Sequence, residues 1–383
     1  MPPASLLAIL REEIRSTPAG AIPFHRFMEL CLYHPQHGYY NSARTKLGAA
    51  GDFYTAAHVA PVFARLLARH LEHCWDEWGK PARFDFVELG PGDGTLAEEL
   101  LSWVSARYPE MFSSLRYTGV EQSPRFRDRL SARLQRFAPQ ARILADLPGG
   151  KGQEEISSAF QGLLFANEFF DALPVHRLVW RPGGWREFFV GLDGEKLRWE
   201  EREPSSPVLA EEAESAFPPD LPPAERPDER EDGWQAELCP LASRWVKRIA
   251  GTLLWGEALI VDYGYTWKEW QQGRFPQGSA LGYRRHGVVE DLLANPGDQD
   301  LTAHVNFSGL IAAAKQAGLR AGELQPFGSF LLELGRKDEF QELFADCASE
   351  AERQHRARLL KTLLLPQGMG EAFRVLTLEK PQD

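Results

Sequence analysis

The stretch Phe86-Val87-Glu88-Leu89-Gly90-Pro91-Gly92-Asp93-Gly94-Thr95-Leu96 constrains this chain more than any other. An apolar run ends in an acid, three glycines alternate, and an amphipathic run begins. That order predicts a buried parallel strand, a tight turn and the start of a helix. Gly90, Gly92 and Gly94 let the backbone take dihedrals closed to other residues and approach a ligand without an intervening Cβ. In an open α/β sheet, a turn at the carboxyl end of a strand is where ligands bind.

The spacing discriminates between ligands. A dinucleotide fingerprint needs glycines at the first, third and sixth positions, and Thr95 occupies the sixth. An acid two residues ahead of an alternating glycine triplet instead resembles the first motif of class I S-adenosylmethionine (SAM) methyltransferases. SAM offers an amine, a carboxylate, a sulfonium and a ribose diol, and no pyrophosphate. Glycine amides and a nearby carboxylate suit its methionine end, so Glu88, Gly90, Gly92 and Gly94 are candidate cofactor ligands. The β-prone run Leu115–Glu121 also ends in an acid, and Ser123-Pro124 supplies an N-cap and a first helical residue. Glu121 is therefore placed to accept hydrogen bonds from both ribose hydroxyls.

Along the chain, residues 1–80 read as a helical N-terminal cap, with apolar positions at helical spacing from Phe24 to Leu32 and from Val59 to Cys74. A βα alternation follows: strand 84–89, helix 94–107, strand 115–121, helix 124–137, and strands 141–145 and 162–167. This pattern predicts a doubly wound, mostly parallel α/β sheet within a catalytic domain spanning 81–383. Two insertions interrupt it, at about 175–235 and 264–305. The first contains expected hairpins over 175–202 and an acidic, Pro-rich surface loop over 204–232. A helix over 237–250 and a strand over 258–263 come next, and residues 373–378 form the expected last strand.

The fourth strand of the alternation runs into Asn167-Glu168-Phe169-Phe170-Asp171. Carboxylates at Glu168 and Asp171, separated by aromatics, can hold a guanidinium through charge-assisted hydrogen bonds, or can simply cap the next helix. Asp262-Tyr263-Gly264 lines a pocket or makes a turn. His304 reaches an active site or satisfies the core. Asn167 is a further candidate cofactor contact.

Composition excludes some classes. A net charge of −11 argues against broad electrostatic binding to nucleic acid or to an anionic membrane surface. Cys31, Cys74, Cys239 and Cys347 are far apart with no CxxC, which predicts reduced packing residues and no metal centre. The absence of a membrane-length apolar run or a signal-peptide core, with Glu12 and Glu13 beside Arg11 and Arg15, predicts a cytoplasmic location.

Taken in order, the motifs resemble the MidA-like methyltransferases, a family that includes the mitochondrial complex I assembly factor that methylates a protein arginine. The matching segments are His34-Pro35 with Gly38-Tyr39-Tyr40; Gly51-Asp52-Phe53 with Thr55; Glu88 to Thr95; Asn167 to Val175; Asp262-Tyr263-Gly264; Tyr283 with His286; Leu301 to Phe307; and Gly368-Met369-Gly370 with Phe373-Arg374-Val375-Leu376. The resemblance implies a Rossmann-like, seven-stranded class I SAM-dependent methyltransferase fold with a helical cap and insertions. It implies SAM contacts at Gly51, Thr55, the Gly90–Gly94 turn and Glu121, with Asp146-Leu147 near the adenine, and it puts Glu168 in the active-site segment. The implied activity is methylation of an arginine on a partner protein, a respiratory complex I subunit among the expected partners. Where the family continues its Gly-Asp-Phe-x-Thr loop with Ser-Pro-Glu-Ile, this chain has Ala56-Ala57-His58-Val59. That departure keeps open a second class of function, an assembly scaffold with weak or lost catalysis. A nucleic-acid amino-methyltransferase ranks lower, because the prolines of its Asn-Pro-Pro-aromatic motif are missing.

Overall fold

The computed structural model describes residues 5–42, 56–147, 159–216, 232–272, 275–285 and 287–382. Gly51, Thr55 and His286 lie outside them. The described chain divides into two compact units, Met1–Thr45 with Asp171–Arg244 and Tyr265–Leu310, and Lys46–Phe170 with Trp245–Gly264 and Ile311–Asp383. The expected boundary at residue 80 is therefore corrected. The helix Ala56–Glu77 belongs to the second unit, because Val59, Val62, Phe63, Leu66, Leu67 and Leu71 pack into the same core as the sheet residues Phe86, Phe165 and Val261.

The second unit is built on a sheet of β1 Phe84–Leu89, β2 Leu115–Val120, β3 Ala141–Leu144, β4 Phe160–Asn167, β5 Leu253–Tyr265, β6 Arg320–Ala321 and β7 Phe373–Lys380. The strand order is β3-β2-β1-β4-β5-β7-β6. The neighbours from β3 to β5 pair in parallel, and β7 runs antiparallel to both β5 and β6. All six residues of β1 are buried, as befits a central strand covered on both faces. The chain leaves β1 toward β2 and β3, then returns to place β4 on the other side of β1. That reversal is the topological switch point, and it fixes the crevice at the carboxyl ends of β1 and β4. The helix after β2, Pro124–Leu134, starts as expected: Pro124 follows Ser123, whose Oγ accepts from the Phe126 N–H at 3.3 Å.

The first unit gathers the chain's N-terminal helices, Leu6–Ser16 and Phe24–Tyr33, with the two insertions. The expected hairpins are present. Gly184–Asp193 pairs antiparallel with His176–Arg181 and Ala21–Pro23 along one edge and with Lys196–Arg202 along the other. The acidic loop differs from expectation, because Pro207–Ala216 is helical. Leu209 and Ala213, one turn apart, bury against Trp185 and Trp270, and this tertiary contact outweighs the loop-like composition. The second insertion also has more structure than its weak periodicity predicts. Thr266 and Glu269 form a capping box at the head of the helix Trp267–Gln271. A small sheet joins Gly287–Val289, Leu281–Arg284 and Asp300–Thr302.

Within this unit the His25 ring stacks on His176 at 4.6 Å. Burial, then repulsion by His176, pushes His25 from 6.5 down to about 4. The unfolded chain takes up this proton near 6.5 and the folded chain only near 4, so stability falls as the pH drops through that window. We expect denaturant unfolding between pH 7 and pH 4 to show a loss of roughly 1–3 kcal/mol that is smaller in His25→Asn.

Candidate cofactor site and active site

The turn after β1 is held in a conformation open only to glycine. Gly90, Gly92 and Gly94 all have positive φ, at 66°, 57° and 80°. A Cβ at Gly94 would sit 2.4 Å from Leu130 Cδ1, and one at Gly90 would sit 3.1 Å from the Phe169 ring. The turn is tied to its neighbour strand. The Gly90 N–H donates to the Val120 carbonyl at 2.9 Å, and the Gly92 N–H donates to Glu121 Oε2 at 3.1 Å. The other Glu121 oxygen accepts from the Ser123 N–H at 2.7 Å. The carboxylate is thereby fixed while each oxygen keeps acceptor capacity. Burial pushes Glu121 up to about 7.

Glu88 occupies the β1 position just before the turn, 4% exposed, and its Oε2 accepts from the Tyr117 hydroxyl at 2.7 Å. Burial, and beyond it the neighbouring Glu121, push Glu88 up to about 7. The two acids flank the glycine turn, and the charge of Glu121 adds to the upward push on Glu88.

Across the switch point, β4 ends at Asn167. Glu168 takes φ 48°, in the left-handed region that a non-glycine residue enters at a cost. Its N–H donates to the Val261 carbonyl at 3.0 Å, and Asn167 Nδ2 donates to Glu168 Oε1 at 3.2 Å. Asn167 Oδ1 is buried and has no hydrogen-bond partner among the described residues. Asp262, fully buried at the end of β5, accepts from the Phe170 N–H at 3.0 Å and the Tyr263 N–H at 2.9 Å. The pocket-or-turn alternative thus resolves toward an anchor: Asp262 holds the segment that carries Glu168. Replacing it with alanine strands two buried N–H groups. We expect Asp262→Ala to lose roughly 1–3 kcal/mol in urea unfolding.

Asp146, following β3, accepts from the Leu147 N–H at 2.9 Å and from Arg248 Nη2 at 2.8 Å. Arg248 lies over the Trp245 ring at 4.4 Å, and Trp245 meets Phe169 edge to face at 5.1 Å. Trp245 and Arg248 were not anticipated. Their i, i+3 spacing on one helix was visible, but nothing in the sequence tied them to Asp146.

Asp171 and His304 belong to the first unit. Asp171 is 4% exposed, and its carbonyl accepts from the Ala303 N–H at 3.0 Å. His304 is tethered by its own N–H to Ser279 Oγ at 3.1 Å, and its ring lies 4.6 Å from that of Phe275. Nearby in the same unit, Tyr40 donates to Asp300 Oδ1 at 2.9 Å.

This geometry suits SAM. The left-handed glycine turn sits at the carboxyl end of β1, where a ligand of an open α/β sheet binds. Glu121 offers fixed acceptors to a diol, and the orphaned Asn167 Oδ1 asks for a donor such as an ammonium group. A sequence model of an S-adenosyl-L-methionine-dependent methyltransferase family matches residues 66–324. The chain belongs to the MidA-like family of SAM-dependent methyltransferases. It is 31% identical to the mitochondrial protein arginine methyltransferase NDUFAF7 of Rattus norvegicus, over 97% of this chain and 84% of that one. The human protein of that name is 29% identical over 98% and 84%. A Burkholderia thailandensis protein solved with S-adenosyl-homocysteine bound superposes with a TM-score of 0.81 at 30% identity, covering 99% of this chain and 92% of that one. SAM is accordingly the cofactor of this chain, and the fold is the expected class I methyltransferase fold.

The expectation of a cytoplasmic location is overturned, since these curated relatives are named mitochondrial. Scattered cysteines do not specify one address within the cell. Among the described residues, no helix is long and apolar enough to cross a membrane.

Proposed function

We propose that this methyltransferase modifies an arginine side chain of a partner protein, with Glu168 as the residue that engages the guanidinium. The observation that carries this reading is Glu168 itself: a carboxylate held in a left-handed backbone at the switch point, beside the orphaned acceptor of Asn167. The arginine-methyltransferase names of the relatives support the same substrate class.

In this reading Glu121 binds the ribose diol, the Gly90–Gly94 turn and Asn167 border the methionine end, and Asp146-Leu147 border the adenine. Glu88 shapes the turn from behind through its bond to Tyr117. Gly51 and Thr55 are assigned cofactor contacts by the family resemblance alone. Bound SAM supplies an electrophilic methyl group on a sulfonium. Glu168 accepts hydrogen bonds from the guanidinium, concentrates electron density on one nitrogen and takes the proton that nitrogen sheds on methylation.

The test is incubation with methyl-labelled SAM and a mitochondrial extract, complex I subunits being resolved first. The expected result is label on protein, recovered as methylarginine after hydrolysis. Label only on small molecules or nucleic acid would remove the arginine assignment. The scaffold alternative, motivated by Ala56-Ala57-His58-Val59, predicts SAM binding without turnover in the same assay.

A further inference from the structure

On the helix Ala56–Glu77, His70 and Cys74 stand four residues apart and share a buried face. Glu257, near the start of β5, meets them there. His70 Nε2 lies 2.8 Å from Glu257 Oε1 and 3.7 Å from Cys74 Sγ, and the three ligand atoms all fall within 4.8 Å of one another. The residues are 8%, 4% and 8% exposed. Glu257 sits at the opposite end of β5 from Asp262, so methyl transfer makes no use of the trio.

We propose that His70, Cys74 and Glu257 form a structural binding site for a zinc-class divalent cation. One imidazole nitrogen faces both a carboxylate and a thiol. A single proton on Nε2 can point along only one of those contacts, whereas a cation at their centre serves all three. The donor set mixes nitrogen, sulfur and oxygen, which suits a borderline ion such as Zn²⁺ over Mg²⁺ or Ca²⁺. A thiolate and a carboxylate neutralise its two charges, so the site is neutral in the low-dielectric core. Tetrahedral zinc sets its ligand atoms about 3.3–3.6 Å apart, so the Nε2–Sγ pair already fits and the Nε2–Oε1 pair opens by about 0.5 Å. A water completes the coordination. The Phe330 ring, 5.3 Å from His70, closes one side. The bound ion would pin the helix Ala56–Glu77 to β5.

The test uses the full-length protein. After dialysis against metal-free buffer, Zn²⁺ is added back and its stoichiometry read by elemental analysis. Co²⁺ is then substituted and its absorption recorded. The expected results are one Zn²⁺ per chain, and a thiolate-to-cobalt charge-transfer band in the near ultraviolet that disappears in Cys74→Ser. Zn²⁺ content should fall at least tenfold in Glu257→Gln, while Cys239→Ser leaves it unchanged. Should Cys74→Ser fail to fold, the wild-type cobalt band and the Glu257→Gln stoichiometry still decide. Absence of stoichiometric Zn²⁺ and of the band in folded wild-type protein overturns the proposal, leaving a proton-filled ion pair. Zinc retained in both folded variants overturns it as well, because the ion then sits elsewhere.

Discussion

Glu121→Ala is expected to weaken SAM binding roughly 10- to 150-fold, the equivalent of losing about 1.5–3 kcal/mol of charge-assisted hydrogen bonding. The size follows from how the carboxylate is held. Its two oxygens are already fixed by the Gly92 and Ser123 N–H groups, so a ribose diol meets acceptors that need no reorganisation. Because burial pushes Glu121 up to about 7, and Glu88 beside it likewise, a larger share of the pair is ionised at pH 8 than at pH 6. Wild-type affinity should therefore rise across that interval, and the rise should flatten in Glu121→Ala. Calorimetric titration at the two pH values measures both effects. An affinity in Glu121→Ala equal to that of the wild type would move the ribose to another partner. Because the substitution also releases the Gly92 N–H, Ser123→Ala serves as a control: it removes the N-cap without touching the carboxylate.

The reach of the sequence follows the range of the interactions. The cofactor turn is local: an apolar run, three glycines and an N-terminal helix signal lie within eleven residues, so strand, turn and helix were legible together. The place of Glu121 beside the turn was legible for the same reason, since it closes the neighbouring strand. What stayed hidden depends on residues far apart in the chain. The first unit is assembled from three separate segments, and its Pro207–Ala216 helix is fixed by burial of Leu209 and Ala213 that composition does not reveal. The helix Ala56–Glu77 showed its apolar stripe, but a stripe does not say which core it joins. The anchor from Asp262 to Phe170 spans 92 positions and the contact from His70 to Glu257 spans 187, beyond any spacing rule. The left-handed backbone of Glu168 left no trace at all, because glycine or asparagine is the usual signal for such a position.

That backbone makes Glu168 the sharpest test of the chemistry. Glu168→Gln keeps the side-chain shape and an acceptor for Asn167 Nδ2 but removes the charge and the proton-accepting oxygen. Turnover is expected to fall about 10²- to 10⁴-fold, the range for losing a positioned acid–base group, while SAM affinity changes little. Glu168→Gly separates catalytic need from structural need. Glycine adopts φ 48° without penalty, so relief of the strained conformation should leave the folded protein as stable as the wild type or more so. Activity should nonetheless be lost. A stable, SAM-binding and inactive Glu168→Gly would mean that the chain keeps a strained residue here for its carboxylate. Full turnover in that variant would remove Glu168 from the reaction.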